Sequence, residues 1–100
     1  MRVVKRPLAR LDTLEIYAYL AEESEMAADR FLENLDKSYN RLLEFPLIGH
    51  EASLPFPEYA GLRVWHVPEF EDYLVFYIPH DEEIEVFRVL HGMRDIGSLF

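Results

Sequence analysis

Residues 62–90 read LRVWHVPEFEDYLVFYIPHDEEIEVFRVL, and this stretch decides the fold. Three runs inside it, Leu62 to Val67, Tyr73 to Ile78 and Ile84 to Leu90, are dense in branched and aromatic residues, which suit a pleated, half-buried surface. Short acidic segments, Glu69 to Asp72 and Pro79 to Glu83, separate the runs. Strands so closely spaced predict an antiparallel three-stranded meander. In the middle run Leu74, Phe76 and Ile78 form a wholly apolar face, whereas Tyr73, Val75 and Tyr77 form an amphipathic one. The expectation is that the first face meets the rest of the core and the second meets solvent or a partner. Both alternating faces of the last run are apolar, so periodicity leaves the direction of Arg88 open.

Upstream the period changes. Val3 and Val4 lie between basic residues and are followed by Pro7, which predicts a short first strand ending near Arg6. From Leu8 the apolar residues Leu11, Leu14, Ala18 and Ala21 recur at three or four positions, widened by Tyr17 and Leu20, so a helix is expected to end near Glu23. Ser24 can cap a second helix, with Glu25 in the first turn where the positive helix end favours a carboxylate. Ala28, Phe31, Leu32, Leu35, Tyr39, Leu42 and Leu43 carry that helix to Phe45, where Pro46 and Gly49 close it. Helices with almost no linker form an antiparallel hairpin. Residues 46–61, punctuated by Pro46, Gly49, Pro55, Pro57 and Gly61, have no period and read as a functional loop or as one pinned by its prolines. After Gly92, Ile96, Leu99 and Phe100 suggest one helical turn on the core. The predicted fold class is α+β: a short N-terminal strand, a helix hairpin, then an antiparallel meander packed on the helices.

The chain of 100 residues is half apolar, which supports one domain over residues 1–100 that removes roughly 65% of the unfolded surface from water. No cysteine occurs, which excludes disulfides, thiolate zinc sites and cysteine nucleophiles. No targeting segment or bilayer-spanning run is expected, so the chain reads as cytoplasmic, without a membrane role. Ten Lys and Arg against nineteen Asp and Glu give a net charge of −9. Such a field repels nucleic acid, so direct nucleic-acid binding is not expected unless a local basic cluster carries it.

The positive charge is uneven. Arg2, Lys5, Arg6 and Arg10 cluster at the start, whereas the second half holds only Arg63, Arg88 and Arg94. These three could converge on a phosphate or carboxylate, or each could pair with one of the many carboxylates. His91, past a strand end, is the best-placed general acid or base, or it holds a turn carbonyl; His50, His66 and His80 lie in separate segments. Asp81, Glu82 and Glu83 lack the glycine and spacing of a calcium loop, and no metal, nucleotide or dinucleotide motif occurs, so no metal or cofactor is expected. Trp65, Tyr73 and Tyr77 are candidate interface anchors, with Trp65 equally suited to the core edge.

Several words then become specific: Leu14-Glu15-Ile16-Tyr17-Ala18-Tyr19-Leu20-Ala21-Glu22, Ala27-Ala28-Asp29-Arg30-Phe31, Pro46-Leu47-Ile48-Gly49, Gly61-Leu62-Arg63, Phe76-Tyr77, and above all Arg88-Val89-Leu90-His91-Gly92-Met93-Arg94-Asp95. In this order they resemble the ParE branch of the RelE/ParE toxin superfamily over nearly the whole chain. The resemblance implies a toxin of a type II toxin–antitoxin operon, neutralised by a cognate antitoxin, a small DNA-binding protein whose C-terminal segment wraps around it. ParE-like members poison DNA gyrase; RelE-like members cleave messenger RNA on the ribosome. The first reading implies a non-enzymatic gyrase inhibitor meeting its target through Arg88, His91, Arg94, Asp95 and Phe100. The second implies a ribosome-dependent endoribonuclease using Arg63, Arg88, His91 and Arg94. A third is a toxin-like binding module without toxicity. In each, the antitoxin is expected to bury the hairpin and the sheet face through Leu11, Tyr17, Leu20, Trp65, Tyr73 and Tyr77.

Where relatives often carry Gly-Arg and Phe-Tyr-Arg, this chain has Gly49-His50 and Phe76-Tyr77-Ile78. Each change removes a fixed positive charge, and RNA cleavage needs such charge to stabilise a phosphorane. The balance therefore moves toward a protein target. The net charge also implies an antitoxin that binds through apolar and basic contacts rather than a mainly acidic tail.

Overall fold

The computed structural model describes residues 1–52, 54, 56–95 and 97. Strand β1 (Arg2–Lys5) leads into α1 (Pro7–Ala21) and α2 (Glu25–Glu44); β2 (His50–Glu51) and a 3-10 turn (Pro57–Tyr59) follow, then β3 (Arg63–Val67), β4 (Phe70–Pro79) and β5 (Glu83–His91). Pro7 occupies the first turn of α1, where a missing N–H costs nothing. Ser24 caps α2 by accepting from the Ala27 amide at 3.1 Å.

The β3-β4-β5 meander is antiparallel as its spacing predicts. Two additions make the sheet mixed and five-stranded, in the order β1-β5-β4-β3-β2. β1 lies parallel to β5, Val3 opposite Ile84, because α1 and α2 supply the crossover that parallel strands require. The aperiodic loop contributes β2, which pairs with β3 through His50–Val64 and Glu51–Arg63.

The two sheet faces are assigned the other way round from the sequence expectation. Tyr73, Val75 and Tyr77 pack beneath the helices with Ile16, Phe31, Leu35 and Leu42. Phe76 and Ile78, with Leu74 partly buried beside them, pack on the far face with Leu62, Val64 and Leu90, under Ala52, Leu54 and Tyr59 of the loop. An aromatic with a polar tip can be buried wherever that tip finds a partner, and here each does. The Tyr77 hydroxyl donates to the Pro46 carbonyl at 2.8 Å and accepts from the Gly49 amide at 2.9 Å. Trp65 Nε1 donates to Ser38 Oγ at 2.9 Å, and Tyr73 accepts from Arg94. The loop that covers the wholly apolar face is thus pinned at its root by the amphipathic one.

The buried stripe of α1 also differs from the expected one. Ala9, Asp12 and Ile16 face the core, while Leu11 and Leu14 are 48% and 68% exposed. Apolar residues occur on more than one side of α1, so spacing does not select the inward face; an aspartate does. In α2 most of the expected stripe is buried, namely Ala28, Phe31, Leu35, Tyr39 and Leu42, with Leu43 partly buried, but Leu32 is exposed.

Candidate functional site

Direction for Arg88 comes from an irregularity in the sheet. Phe76 of β4 lies opposite Arg88, yet Tyr77 lies opposite Val86, so β5 carries one extra residue at this point. A bulge re-aims side chains. Val86 and Val89, three positions apart, consequently share the helix-side core, and Arg88 reaches α1. Its Nε donates to Asp12 Oδ2 at 2.8 Å and its Nη2 to Oδ1 at 2.9 Å, while the Val89 amide donates to Oδ2 at 3.0 Å. Both side chains are largely buried. The hydrogen bonds from Arg88 to Asp12 push the arginine pKa up, against a smaller opposing effect of burial.

Beside this pair lies a cleft of about 410 Å³ between α1 and the end of β5, bordered by Glu15, Tyr19, Arg94 and Asp95. The Arg94 guanidinium sits 4.5 Å from the centre of the Tyr19 ring and donates to the Tyr73 hydroxyl at 3.3 Å. Burial raises the Tyr73 phenol, with Arg94 acting the other way. His91 stacks edge-on against Tyr73 at 5.1 Å. Its Nδ1 accepts from the Met93 and Arg94 amides, each at 3.2 Å. With Nδ1 accepting, the proton of the neutral ring sits on Nε2. Asp95 closes the turn, its Oδ2 accepting from the His91 amide at 3.3 Å.

The structure brings together Arg88, His91, Arg94 and Asp95; Phe100, Ile96 and Leu99 lie outside the described residues. Arg63 does not join them. It donates to the Leu47 and Gly49 carbonyls at 3.1 and 2.6 Å and faces Glu51 at 3.5 Å, holding the loop root. Of the two readings of the three arginines, pairing with carboxylates describes Arg88 and Arg63, which meet Asp12 and Glu51, and convergence is limited to Arg88 and Arg94 beside one cleft. Asp12 and Tyr19, which the sequence reading passed over, complete the cleft; the available signal was a lone aspartate between Ala9 and Ile16 and a lone arginine in an apolar strand.

Of the residues expected to meet an antitoxin, Leu11 is exposed, Tyr17 and Leu20 are half-buried, and Tyr17 donates to Asp29 at 2.8 Å, tying α1 to α2. Tyr73 and Tyr77 are corrected: they are 6% and 0% exposed and form the core rather than an open sheet face. Trp65 packs partly buried against the same core. Among the described residues, no group of three or more metal-ligating side chains occurs, and no helix is long and apolar enough to cross a membrane.

A helix hairpin is laid across one face of a mixed five-stranded sheet, and a loop closes the other. A chain from the chromosomal ParDE toxin–antitoxin system of P. aeruginosa has the same fold, with a TM-score of 0.70 and 16% identity over 91% of this chain and 95% of that one. No curated protein sequence matches significantly. The family model for the ParE toxin of the type II toxin–antitoxin system, parDE, matches residues 3–96. The chain belongs to the ParE toxin family.

Proposed function

We propose that this ParE toxin inhibits DNA gyrase by a protein contact at the α1/β5 cleft and is held inactive by a cognate antitoxin. The observation that carries the reading is the Asp12–Arg88 pair. Stabilising a phosphorane needs preorganised positive charge aimed at the developing oxyanion, and Arg88 spends its charge on a carboxylate 2.8 Å away. Arg63 is likewise engaged by two backbone carbonyls. The ribonuclease reading loses two of its four residues in this way. A protein target needs only a shaped surface with a few anchors, which Tyr19, Arg94 and His91 supply.

Exposed Leu8, Leu11, Leu14 and Met26 on the hairpin support an antitoxin that covers the helices, because apolar groups so arranged favour a partner over water. The test is a supercoiling assay with purified gyrase and toxin. Inhibition or trapped cleaved DNA, relieved by the antitoxin, is the expected result; full supercoiling at excess toxin would overturn the reading. New cleavage at ribosomal A-site codons after induction would replace it with the ribonuclease alternative. Normal growth on expression without the neighbouring gene would leave a binding module.

A further inference from the structure

We infer that His50 and His66 form a site for one divalent transition-metal ion of the zinc, nickel or copper class, and that the ion clamps the start of the proline-rich loop onto β3. The two imidazoles come from adjacent strands. His50 lies opposite Val64 in the β2–β3 ladder, and His66 stands two residues further along β3. The histidines are therefore diagonal neighbours on one face of the sheet, near enough for their rings to meet. Both are exposed, and their ring centres are 5.6 Å apart with the planes inclined at 34°.

That spacing suits a shared ion. Two imidazoles bound through nitrogen at about 2.0–2.1 Å to one tetrahedral ion have ring centres about 5.2 Å apart, so a small side-chain rotation closes the pair on a metal. The nitrogens are also in the required state. A metal takes the lone pair of a neutral imidazole, and the other ring nitrogen ordinarily donates its proton to a carbonyl or carboxylate. His66 Nδ1 lies 2.9 Å from the Glu71 carbonyl oxygen. A carbonyl only accepts, so Nδ1 carries the proton and the lone pair of the neutral ring is on Nε2. Among the described residues the His50 ring forms no hydrogen bond, and its exposed side chain turns to present either nitrogen. The other two histidines are occupied: His80 Nε2 faces Glu85 Oε1 at 2.8 Å, and His91 Nδ1 receives the Met93 and Arg94 amides.

Nitrogen donors select the class of ion. Imidazole suits zinc, copper and nickel, whereas magnesium and calcium take oxygen ligands. Two side chains leave the remaining positions to water, and the net charge of −9 draws cations toward the molecule. The consequence follows from the place of His50 in the chain. It comes directly after Gly49, whose amide donates to the Tyr77 hydroxyl at 2.9 Å, and shortly before Ala52, whose amide donates to the Leu62 carbonyl at 2.9 Å. β2 is only two residues long, so few ladder bonds hold this edge of the sheet. An ion joining His50 to His66 adds a cross-strand link where the loop enters the sheet, and that loop covers Leu62, Val64 and Phe76. Because the site exists only when β2 is paired with β3, metal binding stabilises the closed loop.

The test titrates zinc chloride into the full, untagged chain by calorimetry, and one ion should bind per chain. His50→Gln and His66→Gln, both at exposed positions, should each weaken binding about tenfold or more, since even a partner outside the coordination sphere is worth that much to a metal site. His80→Gln should bind zinc as the wild type does. Zinc should also raise the thermal midpoint of the wild type and slow hydrogen exchange at the Gly49 and Ala52 amides, whereas magnesium and calcium should do neither. No zinc binding by the wild type, the result for two rings that merely stack, would overturn the inference, as would an affinity unchanged in either histidine variant. One ion for two chains would overturn it by making the pair half of a site between copies. An equal response to magnesium would overturn it by reducing the effect to screening of the acidic surface.

Discussion

Asp12 accepts three hydrogen bonds in a place where a carboxylate without partners would be costly to bury. Removing it strands Arg88, and breaking one half of a largely buried pair costs about 3 kcal/mol. Asp12→Asn should therefore lower the urea midpoint strongly, whereas Asp12→Leu with Arg88→Met should recover much of the loss by replacing charge with packing. Recovery in the double variant alone separates a stranded charge from general damage. A second residue-level constraint sits at Gly49. A Cβ there would stand 2.7 Å from the Tyr77 hydroxyl and 2.8 Å from the Val64 carbonyl. Gly49→Ala should break the Tyr77 bridge to the loop root and cost about 1–3 kcal/mol in denaturant unfolding, as overpacking does. In both cases the sequence displays the residue and hides the reason, since its partner lies far along the chain.

At the scale of elements, α2 follows its sequence most closely: a capping serine, an acidic first turn and a largely buried apolar stripe, with Phe31 touching Phe70 and Tyr73. Ser24→Ala should cost about 1 kcal/mol, the usual worth of such a cap, read as a shift in thermal midpoint without loss of cooperativity. The strands around β5 are joined by charge as well as by their ladder. Glu85 receives His80 Nε2 at 2.8 Å and Arg6 Nη1 at 2.7 Å, linking the β4–β5 turn to the start of α1. Burial alone would raise this carboxyl, but the hydrogen bonds from His80 and Arg6 outweigh it and hold Glu85 below its ordinary value of 4.5. Glu85 therefore ionises at lower pH in the folded chain than in the unfolded one. Its stabilising contribution is complete above the unfolded value and fades as pH falls through the lower folded one. Acid unfolding of Glu85→Gln should show a flatter stability profile below about pH 5 than the wild type. Elements also mark where sequence reading gives out: α1 is apolar on several sides, and β2 is two residues in a loop with no period, so only the surfaces they meet could orient them.

For the whole molecule, the charge of −9 acts as self-repulsion. Added salt screens exposed charges over about 8–10 Å at physiological strength. The free toxin should therefore melt higher in 0.3 M salt than at low salt, by roughly a few degrees; a fall would show that the surface ion pairs of β1 and β5 outweigh the repulsion. The sequence by itself determined the α+β class, the capped second helix, the meander and, through the run Arg88 to Asp95, the family, because all of these rest on local period, local turn chemistry or collinear words. Tertiary structure alone decided which sheet face meets the helices, which side of α1 is buried, where Arg88 points and which cations stay unpaired. Each of those depends on a partner distant in sequence: Tyr77 on Pro46 and Gly49, Asp12 on Arg88, Arg6 on Glu85. A net charge summed over the chain carries no information about such pairings, and so the same −9 leaves each of them to the fold.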